Sequence, residues 1–262
     1  MPTLATVTSA LEGIAPLRLA AAWDSVGLLV QPRRDTIERV LTCLTLTPAV
    51  AAEAVRERID LVVAHHPLPF RPVARLTADT GAGAALLALV GAGAGVWSSH
   101  TAWDSAAGGI NDQIAALLGL VNVTPIEPDA ETLLAGFGRM GRAAAGDPVD
   151  GIARRAADRL AAPHVQIVGD PGRPAGRVGI VCGSGGDAIE AVRRSGCDTL
   201  LTGEIKLHQA TEALAAGLAV IAVGHHASEH FAMAVLGDRL AAAVPGLSCR
   251  ASRDETDPIG WL

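Results

Sequence analysis

An apolar run closes on two adjacent histidines at Asp60-Leu61-Val62-Val63-Ala64-His65-His66-Pro67. A similar run ends in histidines at Val220-Ile221-Ala222-Val223-Gly224-His225-His226, and a weaker one at Gly95-Val96-Trp97-Ser98-Ser99-His100. A short apolar run bounded by turn residues is typical of a buried strand in a parallel sheet. The sequence therefore predicts three strands with histidine at the carboxyl end, which is the edge where open α/β sheets bind ligands.

Carboxylates follow two of these histidines at helical spacing. Asp104 comes four residues after His100, and Glu229 comes four residues after His225. Residues four apart lie on one face of a helix, so each pair offers an imidazole and a carboxylate together. Such donors converging on one sheet edge indicate a site for one or two divalent metal ions.

The spacing alone leaves alternatives open. His226 and His230 are also four residues apart, so either face of that helix fits the pattern. Asp104 could instead cap the next helix, and Glu229 could lie on a solvated helix face. A lone histidine would be explained more simply as a buried, hydrogen-bonded side chain, but the repetition at strand ends favours the metal site.

Apolar runs alternate with amphipathic stretches along the whole chain, which is the pattern of an α/β protein. Helices are expected over residues 3–13, 48–58, 81–91, 108–118, 148–161, 186–195, 207–216 and 227–243. Strands are expected over residues 37–46, 60–65, 95–99, 132–143, 164–168, 177–182, 198–202, 218–223 and 247–251.

An internal repeat underlies this order. Glu53-Ala54-Val55-Arg56 precedes the strand that begins at Asp60, and Glu190-Ala191-Val192-Arg193 precedes the strand that begins at Asp198. Each copy runs strand–helix–strand–helix–strand and ends in histidine, which favours a duplication. We therefore predict two similar three-layer α/β halves with mixed sheets and a metal site in the cleft between them. The first half spans residues 1–125, completed by 225–262, and the second spans 126–224.

The composition narrows the class of protein. The chain has 262 residues, of which 50% are apolar and 3% aromatic, and its formal net charge is −6. Charges are interspersed without a block of Lys or Arg, so nucleic-acid binding is not expected. Neither a signal-peptide pattern nor a run of about 18 apolar residues occurs, so we expect a cytoplasmic protein without a membrane span. Free thiols are expected, because no Cys-x-x-Cys joins Cys43, Cys182, Cys197 and Cys249.

Several motifs together resemble those of the NGG-interacting-factor-three-like family, whose members are often called GTP cyclohydrolase 1 type 2 homologues. The matching stretches are Trp23-Asp24-Ser25-Val26-Gly27-Leu28, His65-His66-Pro67-Leu68, His100-Thr101-Ala102-Trp103-Asp104, Gly108-Gly109-Ile110-Asn111-Asp112, Thr202-Gly203-Glu204-Ile205-Lys206-Leu207-His208 and Gly224-His225-His226-Ala227-Ser228-Glu229. They run in the family's order over nearly the whole chain, and the combination is specific although each piece alone is not. The chain departs from the family at His226, where an aromatic residue is usual, and at Ser25 and Glu204, where Asp or Asn is usual.

The resemblance implies a two-metal site and a ring-shaped homohexamer. By resemblance, the metal ligands are His65, His66, Asp104, His225 and Glu229. The family pattern Gly-His-x-x-x-Glu selects His225 and Glu229 over His226 and His230, and His100 lies beside the ligand set. A mixed set of imidazoles and carboxylates suits Zn, Fe, Mn, Co or Ni and does not choose among them.

These features favour a dinuclear divalent-metal-dependent hydrolase. Two cations that share a water lower its pKa and stabilise charge on the attacking and leaving oxygens. His100 or His208 is expected to shuttle the proton of that water. The family name suggests GTP as substrate in a cyclohydrolase reaction, and another nucleotide or phosphoester fits the same site. The alternative is a non-catalytic metal-binding regulatory or assembly protein, which would keep the same ligands.

Overall fold

A computed structural model describes residues 1–260, which divide into two compact units. Unit 1 comprises Met1–Trp103 and Ala232–Gly260, and unit 2 comprises Asp104–Phe231. The divisions therefore fall at 103/104 and 231/232, where the sequence predicts 125/126 and 224/225. Among residues 1–260, every helix is too short or too polar to cross a membrane.

The helices and strands alternate through most of the chain. The helices are α1 (Leu4–Ile14), α2 (Pro48–Arg56), α3 (Gly81–Ala92), α4 (His100–Ser105), α5 (Ile110–Leu117), α6 (Val149–Arg159), α7 (Ile189–Arg194), α8 (Leu207–Ala215), α9 (His225–Glu229) and α10 (Ala232–Ala243). The strands are β1 (Gly27–Val30), β2 (Arg39–Cys43), β3 (Leu61–Ala64), β4 (Gly95–Ser98), β5 (Val121–Thr124), β6 (Glu127–Pro128), β7 (Gly136–Phe137), β8 (Arg139–Arg142), β9 (Gln166–Val168), β10 (Arg177–Val181), β11 (Thr199–Thr202), β12 (Ala219–Ala222) and β13 (Ser248–Ala251).

Each stretch predicted as a helix or strand contains one, but its ends and divisions differ in places. The helix predicted over 227–243 is two helices, and α9 begins at His225 because the carbonyl of Gly224 accepts the first helical hydrogen bond from Ser228 N at 3.0 Å. The short elements β1, α4, β5 and β6 were not predicted. Each has only two to six residues, too few to show a periodicity, so partners elsewhere in the chain decide their conformation.

The sheet of unit 1 has the strand order β1-β4-β3-β2-β13. Strands β4, β3, β2 and β13 are parallel, and only β1 is antiparallel to its neighbour. Leu41 and Val62 pack in a buried core with residues of α2 and α3. Thr42, whose side chain alternates to the other face, donates its hydroxyl to Met233 O of α10 at 2.7 Å. Helices therefore cover both faces of this sheet, as the three-layer prediction requires.

The sheet of unit 2 has the order β5-β8-β10-β11-β12-β9. Its three central strands, β10, β11 and β12, are parallel, while β8 and β9 flank them in antiparallel pairs. Both main sheets are thus mixed, which confirms the predicted α/β class. All four cysteines are free, as predicted.

The two units repeat the same contacts at corresponding positions. Asp60 N donates to Arg39 O at 3.0 Å in unit 1, and Asp198 N donates to Arg177 O at 2.8 Å in unit 2. The guanidinium group of Arg39 bonds the carbonyl that follows α2, and that of Arg177 bonds the carbonyl that follows α7. Shared contacts beyond the shared element order support the internal duplication.

Glu53 of α2 anchors the C-terminal segment of unit 1. Its buried carboxylate accepts hydrogen bonds from Arg250 Nη1 at 2.6 Å, from the Ser252 hydroxyl, and from the N–H groups of Arg253 and Asp254 at 3.1 and 3.2 Å. Burial alone would raise the pKa of Glu53, but the bonds from Ser252 and Arg250 outweigh it and lower the pKa from 4.5 to about 2. The charged form of Glu53 therefore stabilises the folded state.

We expect this stabilisation to disappear in acid. Because the folded-state pKa is depressed, the contribution is complete above pH 4.5 and is lost as the pH falls towards 2. It amounts to about 3 kcal/mol in the free energy of unfolding. Urea unfolding at pH 7 and pH 3 should show that Glu53→Gln is less stable and less pH-dependent than wild type. Glu12→Gln, an exposed control on α1, should behave as wild type; an equally steep acid dependence in Glu53→Gln would contradict the assignment.

Candidate metal centre

Three histidines of unit 1 follow the carboxyl ends of neighbouring strands. His65 and His66 continue β3, where their N–H groups bond Cys43 O and Leu44 O at 2.8 Å each, and His100 follows β4. Each histidine offers one ring nitrogen, and these three atoms all lie within 4.8 Å of one another. His65 is buried, while His66 and His100 are partly exposed. The predicted convergence of strand-end histidines is therefore present in unit 1.

Polar neighbours fix the orientation of two of these rings. Nδ1 of His66 lies 2.8 Å from the hydroxyl of Thr45. Nδ1 of His100 lies 2.8 Å from Oδ1 of Asp24, whose other oxygen accepts from Thr101 N at 3.1 Å. Burial opposes ionisation of Asp24, but the hydrogen bonds from His100 and Thr101 hold its pKa below the ordinary value. An ionised Asp24 assigns the proton of neutral His100 to Nδ1, which leaves the Nε2 lone pair for a metal or a proton.

The backbone at His100 is also unusual. Its φ of 26° lies in the left-handed region, which non-glycine residues rarely occupy. Backbone strain of this kind is often found at functional sites, because surrounding contacts must hold the residue in place. Here the contact with Asp24 supplies part of that restraint.

In unit 2, α9 brings His225 and Glu229 together. Nε2 of His225 lies 3.0 Å from Oε2 of Glu229, whose side chain is buried, and Nδ1 of His225 lies 2.9 Å from Oε1 of Glu204. Burial would lower the pKa of His225, but Glu229 and Glu204 raise it to about 9. Two donors that are each about 2.1 Å from one ion are separated by about 3.0–3.4 Å, so the Nε2–Oε2 spacing suits shared ligation.

Glycine makes room for this pair. Gly183 follows β10 with a φ of +61°, and a Cβ there would lie 2.2 Å from Glu229 Oε1 and 3.2 Å from His225 Nε2. The N–H of Gly183 donates to the Ser228 hydroxyl at 2.9 Å, which fixes the loop against α9. The first glycine of Gly183-Ser184-Gly185-Gly186 therefore leaves space for a candidate ligand.

Asp104 lies in the same unit beside Cys182. The thiol of Cys182 donates to Asp104 Oδ1 at 3.3 Å. Burial raises the pKa of Cys182 well above its ordinary value, and the charges of Asp104 and Glu229 raise it further. Cys182 is therefore a neutral thiol, and both carboxylates are close enough to act on it. Asn111 bonds Asp104 O through its amide nitrogen and Cys182 N through its amide oxygen, at 3.1 and 2.9 Å.

The histidine that ends each copy of the repeat is associated with two acids, although their Nδ1 partners come from different places: Asp24 precedes β1, outside the repeat, and Glu204 follows β11. A histidine follows the third strand, a carboxylate contacts its Nδ1, and a second acid comes four residues later. With His100 these acids are Asp24 at Nδ1 and Asp104 in sequence, and with His225 they are Glu204 at Nδ1 and Glu229 in sequence; we call each set of three residues a triplet. A carboxylate on the remote nitrogen of a histidine is the usual outer partner of a metal-bound imidazole. The residues present thus fit divalent ions of the Zn, Fe, Mn, Co or Ni kind.

Three further histidines occur in or beside these motifs, namely His208, His226 and His230. His208 is exposed in the first turn of α8. The rings of His226 and His230 stack on each other, with centroids 4.4 Å apart and an interplanar angle of 17°. The prediction that His226 and His230 are not ligands, and that His208 moves a proton, therefore stays a prediction.

Sequence reasoning did not find the outer partners. Asp24 and Glu204 stood in motifs without a defined role, and Thr45 was not singled out. The only signal in the sequence was the position of these acids in loop motifs: Asp24 precedes a strand, and Glu204 follows one. No sequence signal marks Thr45, because its contact with His66 joins residues 21 positions apart.

Comparison with known proteins identifies a family that the sequence matches. A family model described as Duf34/NIF3 (NGG1p interacting factor 3) matches residues 2–258. The chain is 30% identical over 228 residues to a Clostridium perfringens protein named GTP cyclohydrolase 1 type 2 homolog, covering 85% of each chain. It is 30% identical over 232 residues to NIF3-like protein 1 of Drosophila melanogaster, covering 86% of this chain and 77% of the relative.

A solved structure shows the same fold. The crystal structure of a Bacillus cereus protein related to NIF3 matches with a TM-score of 0.92 at 20% identity, covering 100% of this chain and 99% of that one. The predicted α/β architecture and the predicted family resemblance are both confirmed.

Proposed function

This chain belongs to the Duf34/NIF3 family, and from that premise we propose that it is a hydrolase dependent on two divalent metal ions. The proposed ligands are His65, His66, Asp104, His225 and Glu229. The observation that carries the proposal is the pair His225 and Glu229, whose Nε2 and Oε2 lie 3.0 Å apart, with Glu204 2.9 Å from the remote nitrogen Nδ1 of His225. Outer carboxylates of this kind select the tautomer and raise the basicity of a ligand imidazole.

The bound ions would supply Lewis acidity and lower the pKa of a water shared between them. His100 is proposed to accept a proton at Nε2, because Asp24 holds Nδ1 at 2.8 Å. His208, exposed on α8, is the second proposed proton shuttle. His225 carries a proton in the metal-free chain, since its pKa is about 9, and it would have to lose that proton for Nε2 to hold a metal ion.

Aromatic side chains support a nucleotide as the substrate class. Trp23 is 65% exposed and Phe70 is 48% exposed, although large aromatic residues are usually buried. Their ring centroids lie 5.9 and 6.1 Å from that of His100. Exposed rings beside a polar site offer a stacking surface for a nucleobase. We therefore propose GTP, in a cyclohydrolase reaction, or another nucleotide phosphoester as the substrate.

The decisive experiment is a screen of GTP, other nucleotides and simple phosphoesters with metal-loaded protein. Glu229→Gln should reduce turnover at least about 100-fold, because a neutral amide replaces a charged ligand. Glu212→Gln, an exposed control on α8, should keep wild-type turnover. Turnover retained by Glu229→Gln would contradict the proposed site. Metal-loaded wild type without turnover on this panel would instead favour a metal-binding regulatory or assembly protein.

We further propose the homohexamer that the family resemblance implies. Light scattering at micromolar concentration should then give a mass about six times that of the 26.7 kDa chain. A monomer mass would contradict this assembly.

A further inference from the structure

A cavity of about 430 Å³ lies at the amino-terminal end of the parallel strands of unit 1. Arg39 begins β2, Asp60 immediately precedes β3 and Gly93 precedes β4, and all three line the cavity. His65 and His100 follow the carboxyl ends of β3 and β4, at the other end of these strands. The cavity is therefore separate from the candidate metal centre, and its chemistry is independent of the proposed hydrolase.

Positive charge dominates the lining. The charged residues are Arg33, Arg34, Arg39, Arg58, Glu38 and Asp60. The carboxylate of Asp60 already accepts two main-chain hydrogen bonds, from Glu38 N at 2.9 Å and Arg39 N at 3.0 Å. Four guanidinium groups thus face two carboxylates, one of which is engaged by the backbone. This local excess of positive charge contrasts with the net charge of −6 of the whole chain.

Two of the four guanidinium groups donate hydrogen bonds to backbone carbonyls, and, among the residues that the structure describes, the other two do not. Arg39 Nη1 donates to Glu57 O at 3.1 Å, and Arg33 Nη2 donates to Gly91 O at 3.3 Å. Within residues 1–260, the guanidinium groups of Arg34 and Arg58 make no hydrogen bond or ion pair. Four cationic groups in one cavity repel one another unless an anion offsets them.

The backbone conformation at Arg58 is one that favours glycine. This residue follows the C-cap of α2 with a φ of +55°, in the left-handed region. The duplicated unit has Gly196 at this position after α7, with a φ of +74°. The local hydrogen bonds match, since Arg58 N bonds Val55 O at 3.1 Å and Gly196 N bonds Arg193 O at 3.0 Å. Glycine meets the backbone requirement, so the guanidinium group itself points to a role.

We propose that this cavity binds the di- or triphosphate group of a small ligand. Guanidinium groups bind phosphate oxygens through paired hydrogen bonds, which a single carboxylate ligand could not supply to several arginines at once. A multiply charged anion also offsets the excess positive charge, whereas a monovalent ion leaves part of it. The volume lies within the usual range of about 300–1,000 Å³ for small-molecule sites.

Calorimetric titration of the full chain with inorganic triphosphate at low ionic strength tests the site. Arg58→Gly and Arg34→Gln should each weaken binding about tenfold, because each removes charge-assisted hydrogen bonds. Arg58→Gly should remain folded, since it copies Gly196 at the same backbone conformation. Arg159→Gln, which changes the net charge equally at an exposed position of α6, should bind like wild type.

His65→Ala separates this site from the metal centre, because triphosphate could also bind metal ions. Unchanged triphosphate affinity in His65→Ala supports the arginine cavity, whereas loss of binding there overturns it. Absence of binding to wild type at millimolar concentration also overturns it, as does equal weakening in Arg159→Gln. A parallel titration with a nucleoside triphosphate identifies the source: tighter binding with the same arginine dependence marks a nucleotide, and equal binding marks the phosphate chain alone.

Discussion

His225→Ala is expected to lower the metal content by at least about one ion per chain, whereas His226→Phe is expected to leave it near the wild-type value. The two histidines are adjacent, but their surroundings differ. Each ring nitrogen of His225 contacts a carboxylate: Nδ1 lies 2.9 Å from Glu204 Oε1, and Nε2 lies 3.0 Å from Glu229 Oε2. The ring of His226 stacks on that of His230. A carboxylate beside an imidazole offsets the charge of a divalent ion better than a second imidazole does.

Elemental analysis after gel filtration measures this difference. Circular dichroism should show that both variants are folded, because the apolar core does not include either ring. Reduced metal in His226→Phe together with full metal in His225→Ala would move the site by one residue along α9. Full metal in both variants would remove α9 from the site.

Gly183→Ala is expected to lower the metal content per chain as much as the removal of a ligand does. Its Cβ would lie 2.2 Å from Glu229 Oε1, a distance that forces the carboxylate or the loop to move. Backbone strain also contributes, because the φ of Gly183 is +61°. The steric effect acts on Glu229, which is buried and has little room to adjust.

Gly217→Ala separates the two effects. Gly217 has a similar φ of +71°, but a Cβ there would meet nothing within 4 Å. Both substitutions introduce backbone strain, which should lower the free energy of unfolding by about 1 kcal/mol and with it the melting temperature. Only Gly183→Ala should also lose metal, as measured by elemental analysis. Equal metal contents in the two variants would show that Glu229 does not need the space beside Gly183.

The strand-end histidines were predictable because short apolar runs ending in histidine are unambiguous in sequence. The repeat around Asp60 and Asp198 was also visible, since both copies keep the same local residues. The partners of these histidines were less accessible. Asp24 and Glu204 reach Nδ1 atoms across 76 and 21 positions, and only the folded chain brings them together. The start of α9 at His225 likewise depends on the turn at Gly224, and hydrophobic periodicity does not predict such a turn.

The position of β13 in the sequence affects the order in which the two units can complete their sheets during synthesis. β13 pairs with β2, and the residues around it supply the partners of Glu53, so unit 1 needs residues from before and after unit 2. Unit 2 is continuous from Asp104 to Phe231. On the ribosome, the second unit therefore emerges with all of its strands before the first has its last one. The segment before Asp104 has an open edge at β2 until Ser248–Ala251 has been synthesised, and a truncated chain that ends before Ser248 leaves that edge exposed to other chains.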